Sequence, residues 1–131
     1  MKRLLFVFLM MTCSVSWAEW ELVADIENYV QFVDKATKRK KDNFVEMWRM
    51  NNYFDEQLNS QGKKYKSVKI FDSYDCNNKA RGVVSFVQYF EQYGRGDVVL
   101  SHTAKSIEIQ YHPIVPESIG EGLWKIACGR E

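Results

Sequence analysis

Apolar residues along this chain come in short runs, rich in aromatic and β-branched side chains and separated by polar or glycine-bearing stretches. Helical periodicity is mostly missing. The runs are Tyr29 to Asp34, Phe44 to Tyr53, Ser67 to Cys76, Gly82 to Phe90, Asp97 to Thr103 and Ile107 to Tyr111. Six strands at this spacing predict an antiparallel meander. Alternation is clearest in two of them: Val68, Ile70, Tyr74 and Cys76 oppose Lys69, Ser73 and Asp75, while Ile107, Ile109 and Tyr111 oppose Glu108, Gln110 and His112. Successive strand side chains point to opposite faces, so each of these strands is expected to have one buried and one wet face. Phe86 to Phe90 and Val98 to Leu100 are apolar on both faces and predict central strands covered from both sides.

The connections carry their own signals. Lys38-Arg39-Lys40-Lys41-Asp42-Asn43 and Asn59-Ser60-Gln61-Gly62-Lys63-Lys64 are too polar to bury and are expected as surface turns. Asp75-Cys76-Asn77-Asn78 and Gly94-Arg95-Gly96 supply residues tolerant of positive φ, which suits hairpin turns. After Pro113 and Pro116 the pattern changes. Ser118 is followed three residues later by Glu121, a capping box, and Ile119, Leu123, Ile126 and Ala127 then fall on one helical stripe. This predicts a short amphipathic helix over Ser118 to Cys128. Gly120 and Gly122 weaken its propensity, so docking on the sheet must hold it.

The amino-terminal end reads as an address. Met1-Lys2-Arg3 precedes an apolar run from Leu4 to Met11 and then the small-residue stretch Ser14 to Ala18, the order of a secretory signal peptide. A membrane-spanning helix needs roughly 20 apolar residues, and this run is far shorter. Cleavage after Ala18 leaves residues 19–131 as one domain with no transmembrane segment. The other branch is lipidation at Cys13, but Met10-Met11-Thr12 before it is a poor lipoprotein signal. The two branches lead to the periplasm and the outer cell surface respectively.

Removing the signal changes the charge and cysteine picture. Lys2 and Arg3 leave with it, so sixteen basic groups face seventeen acidic ones, and no overall field draws the protein to nucleic acid. Cys13 also leaves. Cys76 and Cys128 remain in an oxidising compartment, where an even count reads as a disulfide. The resulting expectation is an α+β fold: a six-stranded antiparallel sheet with the C-terminal helix across one face, linked to it through Cys76 and Cys128.

Trp20, Phe32-Val33-Asp34 with Thr37-Lys38-Arg39, Val45-Glu46-Met47-Trp48, Ser67-Val68-Lys69, Tyr74-Asp75-Cys76, Tyr93 to Val99, Pro116-Glu117-Ser118, Leu123-Trp124 and Cys128 follow one another along the chain. In that order they resemble the pattern of the surface-adhesin protein E-like domain of Gram-negative bacteria. The resemblance spans the whole chain after the signal. It implies the same sheet, helix and bridge, pairing into a homodimer in some members, and protein partners such as the host matrix and serum proteins laminin and vitronectin.

Candidate binding residues are Lys38, Arg39, Lys40 and Lys41, with Lys63 and Lys64 on a second loop, which would pair with sulfated glycans or acidic protein segments. The plainer reading is a solvated hairpin tip, and six acidic groups before Asn43 dilute the local field. Arg95-Gly96-Asp97 spells an integrin-recognition tripeptide on an expected turn, although its glycine has backbone reasons of its own and Asp97 starts a strand. His102 and His112 are expected at opposite ends of adjacent strands or on different faces, as ordinary sheet histidines, so neither a metal nor another cofactor is expected. Trp48 and Trp124 are expected in the core. With no nucleophile elbow, zinc helix or phosphate loop, the chain is not expected to be an enzyme. Two functions remain: an exported adhesin-like binding protein, and a periplasmic envelope-associated module without adhesive role.

Overall fold

The structure, a computed structural model, describes residues 19–130. The expected signal segment, with Cys13 and Ala18, lies outside the described residues. The elements in chain order are β1 (Trp20–Asp25), β2 (Tyr29–Lys41), β3 (Phe44–Leu58), β4 (Lys64–Asp75), β5 (Ala80–Tyr89), β6 (Val98–Thr103), β7 (Tyr111–Pro113) and α1 (Ile119–Cys128). The sheet runs β1-β2-β3-β4-β5-β6 with every pair antiparallel, and β7 shares the outer edge of β5 with β6. The meander with a C-terminal helix is therefore as expected.

Two details differ from the sequence reading. Ile107 to Tyr111 is not a strand: Ser106–Glu108 forms a 3-10 turn, Ile107 is 92% exposed, and pairing begins only at Tyr111. Of that run, Ile109 is the residue turned onto the sheet. Ile109 folds over Gly82, where an added Cβ would meet its Cγ2 at 2.6 Å, so glycine admits this close crossing. Val98 to Leu100 is not central either. β6 is an edge strand whose Val98 is 56% exposed, and β3 and β4 occupy the middle. The strand β1 went unmarked in the sequence because Trp20 to Asp25 carries acidic residues between its apolar ones.

The core lies between one sheet face and α1. Leu123, Trp124 and Ala127 of the helix pack on Val33, Val45, Met47 and Tyr74 of the sheet. Ser118 caps the helix, its hydroxyl accepting from the Glu121 N–H at 3.2 Å. The Trp124 indole donates to the Asp75 carbonyl at 2.9 Å, and Cys76–Cys128 joins the end of β4 to the end of α1 with a Cα separation of 5.7 Å. In the chain-entropy view, closing a loop 52 residues apart stabilises by about 4 kcal/mol at most. Trp124 is core as expected. Trp48 is only partly buried and points to the opposite face, where it stacks on Phe71 with centroids 5.0 Å apart.

Candidate functional site

The basic run does not form a turn. β2 continues through Lys41, and only Asp42 and Asn43 make the reversal, Asp42 at φ +53°. A two-residue hairpin turn favours positive φ at residues such as Asp, which lets the strands pair to their ends. Lys41 therefore lies opposite Phe44, Lys40 opposite Val45 and Arg39 opposite Glu46. Upstream, a bulge sits between Asp34 and Arg39, pinned by the Thr37 hydroxyl, which donates to the Asp34 carbonyl at 2.6 Å and accepts from the Trp48 N–H at 3.1 Å.

Alternation then splits the four cations between two faces. Lys38 and Lys40 share the helix side with Val45 and line an open groove of about 440 Å³ beside Asp42, the disulfide and Arg130. Arg39 and Lys41 belong to the other face, where Lys41 pairs with Glu46 at 3.0 Å. Lys63 and Lys64 lie at the opposite end of β3. For its 15 residues that is on the order of 45 Å away, too far to form one patch. Lys64 there pairs with Glu56 at 3.4 Å.

Arg95-Gly96-Asp97 is exposed, as expected, and its backbone is tightly held. The Glu91 N–H donates to the Arg95 carbonyl at 3.1 Å and the Phe90 N–H to the Asp97 carbonyl at 3.0 Å, with Gly96 at φ +80°. Asn52 and Ser67 anchor the preceding turn through the Tyr93 and Gly94 N–H groups. The glycine thus has a backbone role, and the Arg95 and Asp97 side chains are left in solvent.

A third site was not anticipated. Beyond the apolar patch under α1, the same sheet face turns polar. The Gln31 Nε2 donates to Asn51 Oδ1 at 2.7 Å, and the Arg49 Nε and the Tyr74 hydroxyl both donate to Asp72 Oδ2, at 2.5 and 3.0 Å. Every one of these side chains is more than nine-tenths buried. Burial works against the Arg49 charge, but the Asp72 carboxylate outweighs it and holds the guanidinium above its ordinary pKa. Burial, aided by Asp72, pushes the Tyr74 phenol far up, although Arg49 and Arg81 pull the other way. The layer is therefore an ion pair with a protonated phenol on it.

Above this layer opens a cleft of about 650 Å³. Gln31, Arg49 and Asn51 form its floor, Arg81 and the first turn of α1 one wall, and His102 and His112 lie at its rim. His102 and His112 stand opposite Phe86 and Arg81, five positions apart along the outer edge of β5, where the turn at Ser106–Glu108 carries the chain onward from β6 to β7, and both border the opening. Among the described residues no group of three or more His, Cys, Asp or Glu side chains is arranged to hold a metal ion. The signal for this site was present in the sequence: Arg49 and Asp72 occupy inward positions between Met47 and Asn51 and between Ile70 and Tyr74, and unpaired charges are almost never buried.

Comparison with known proteins agrees with this architecture. The chain superposes on Haemophilus influenzae protein E with a TM-score of 0.56 at 16% identity, over 82% of this chain and 88% of that one. A crystal structure of protein E from non-typeable Haemophilus influenzae gives 0.58 at 17% identity, over 82% and 75%. At such identities the likeness speaks for the fold. No curated protein matches the chain. Residues 20–129, which take in every strand and the whole of α1, match the surface-adhesin protein E family, and the chain belongs to that family.

Proposed function

We propose that the chain is an exported, non-enzymatic binding protein that engages host matrix or serum proteins, laminin and vitronectin among them, through the cationic end of the β2–β3 hairpin. The observation that carries this reading is the convergence of Lys38, Lys40 and Arg130 on one exposed groove. The hairpin ladder fixes Lys40 opposite Val45, Lys38 leaves the bulge just before the ladder resumes, and the disulfide fixes the end of α1 beside them. Lys38 and Lys40 make no ion pair among the described residues, so their field is available to an acidic partner and is screened by salt. Family membership supports a surface role, and among the described residues no helix is long and apolar enough to cross a membrane.

The test is binding to immobilised laminin and vitronectin over a range of salt. We expect saturable, salt-sensitive binding that falls at least about tenfold in K38E/K40E. The change R95A/D97A should leave it unaltered. Wild-type protein that binds neither ligand, or a double variant that binds as well as wild type, overturns the reading. Location is tested separately, by intact mass and by protease treatment of live cells. A species beginning at Glu19 and confined to the periplasm would replace the adhesive role with that of an envelope-associated module.

A further inference from the structure

The geometry points to the cleft beneath the first turn of α1 as a binding site for a small hydroxylated oxyanion, of the chemistry shared by sugar phosphates and sugar sulfates. Its charge balance is the first argument. Arg81 extends along the start of the helix, so close that a Cβ on Gly120 would sit 3.7 Å from its Nη1. A helix amino terminus is itself electropositive, with backbone N–H groups that lack intrahelical partners. A guanidinium placed there repels the helix end unless an anion lies between them. Arg81 has no ion pair among the described residues. The nearby Glu121 carboxylate is engaged by Lys79 at 2.7 Å and Lys125 at 3.5 Å. Glu108, the acidic side chain on the cleft lining, accepts from the Lys105 N–H at 3.2 Å.

The floor supplies a second, independent argument. Arg49 is 7% exposed, and its Nε is the only guanidinium donor with a partner among the described residues, so the terminal N–H groups remain for whatever occupies the cleft. Gln31 is 3% exposed, and its Oε1 has no hydrogen-bond partner. Buried polar groups are normally satisfied. Donors at Arg49, Arg81 and the helix end match an oxyanion, and an unpaired acceptor at Gln31 matches a hydroxyl. A volume of about 650 Å³ suits a ligand of that size.

The experiment is a titration of ¹⁵N-labelled protein with glucose 6-phosphate, glucose 6-sulfate, inorganic phosphate and glucose, followed by amide and side-chain shifts. We expect saturable shifts at Gly120, Arg81 and Gln31 with at least one of the two sugar esters and none with glucose; the two esters show whether phosphate or sulfate is the better fit. R81A should weaken binding at least tenfold. G120A is the sharper variant, since alanine favours the helix and its methyl group fills the space between helix end and guanidinium. It should fold at least as stably as wild type and lose the shifts. Absence of a saturable shift with either ester at millimolar concentration overturns the inference, as do shifts that survive unchanged in both R81A and G120A. Neither outcome touches the matrix-protein reading, which rests on a different surface.

Discussion

Under α1 the inner face of the sheet presents Val33, Val45, Met47 and Tyr74; further along the same strands it presents Gln31, Arg49 and Asn51, with Asp72 between the two. Both halves are buried, but burial is achieved differently. In the first, apolar side chains meet Leu123, Trp124 and Ala127, and each large one stabilises by about 1.5–3 kcal/mol through its removal from water. In the second, the charge on Arg49 is offset by Asp72, and a well-packed apolar replacement would serve stability as well or better. The polar half thus contributes little that an oily one could not. What it adds is a charged, shaped floor where the helix stops covering the sheet.

The largest effect should come from breaking the polar half. Asp72→Ala leaves the Arg49 charge buried without its partner and the Tyr74 hydroxyl without an acceptor, and we expect a loss of about 3–5 kcal/mol in urea unfolding. The double change R49M/D72L should recover most of that loss. If Asp72→Ala instead costs less than about 1 kcal/mol, the ion pair is not sealed from water and the contrast between the halves collapses. Breaking the apolar half at its staple comes next. Cys128→Ser should cost about 2–4 kcal/mol and loosen α1, seen as a reduced near-ultraviolet signal from Trp124. An unchanged melting temperature under oxidising conditions would refute that role for the bridge.

The two halves also differ in how far the sequence betrayed them. The apolar half was legible: the stripe of Leu123 and Ala127, the alternation ending in Tyr74 and the paired cysteines all report on local periodicity and compartment. The polar half was written in the same strands, as a break in the alternation at Asp72 and a charge at Arg49. A period-two pattern is carried by its apolar members, and these two polar positions add nothing to it. Register was less accessible still. Whether Lys38 to Lys41 forms a loop or a strand depends on a two-residue turn at Asp42 and Asn43, and that choice decides which lysines share a face. That His102 and His112 border one cleft depends on the close passage of Ile109 over Gly82, a long-range fact that local pattern does not encode.

A smaller effect tests the boundary between the halves, where the helix begins. Ser118→Ala removes the hydroxyl that accepts from the Glu121 N–H and should cost about 1 kcal/mol, a few degrees in melting temperature. Because the loss falls on the first turn of α1, it should affect ligand-induced shifts at Gly120 more than the environment of Trp124. Equal disturbance at both ends would mean that the helix responds as one rigid unit and that the cleft has no local wall of its own.

The smallest effect concerns acid. Burial alone would raise the Asp75 pKa, but hydrogen bonds from the Asn78 side chain and from the Asn78 and Asn77 N–H groups outweigh it and hold the carboxylate below its ordinary value. A group depressed in the folded state adds stability that is complete above its unfolded pKa, about 4, and is lost as pH falls through the folded one. Stability should therefore be flat near neutrality and decline below about pH 4. Asp75→Asn keeps an acceptor for the turn and removes the titration, so it should flatten part of that decline while leaving the Trp124 indole bonded to the residue 75 carbonyl. The expected signature is a shallower slope of unfolding free energy against pH, with little change at pH 7. An unaltered slope would assign the acid sensitivity to other carboxylates, Glu121 beside Lys79 first among them, because its pKa is depressed chiefly by the hydrogen bond from that lysine.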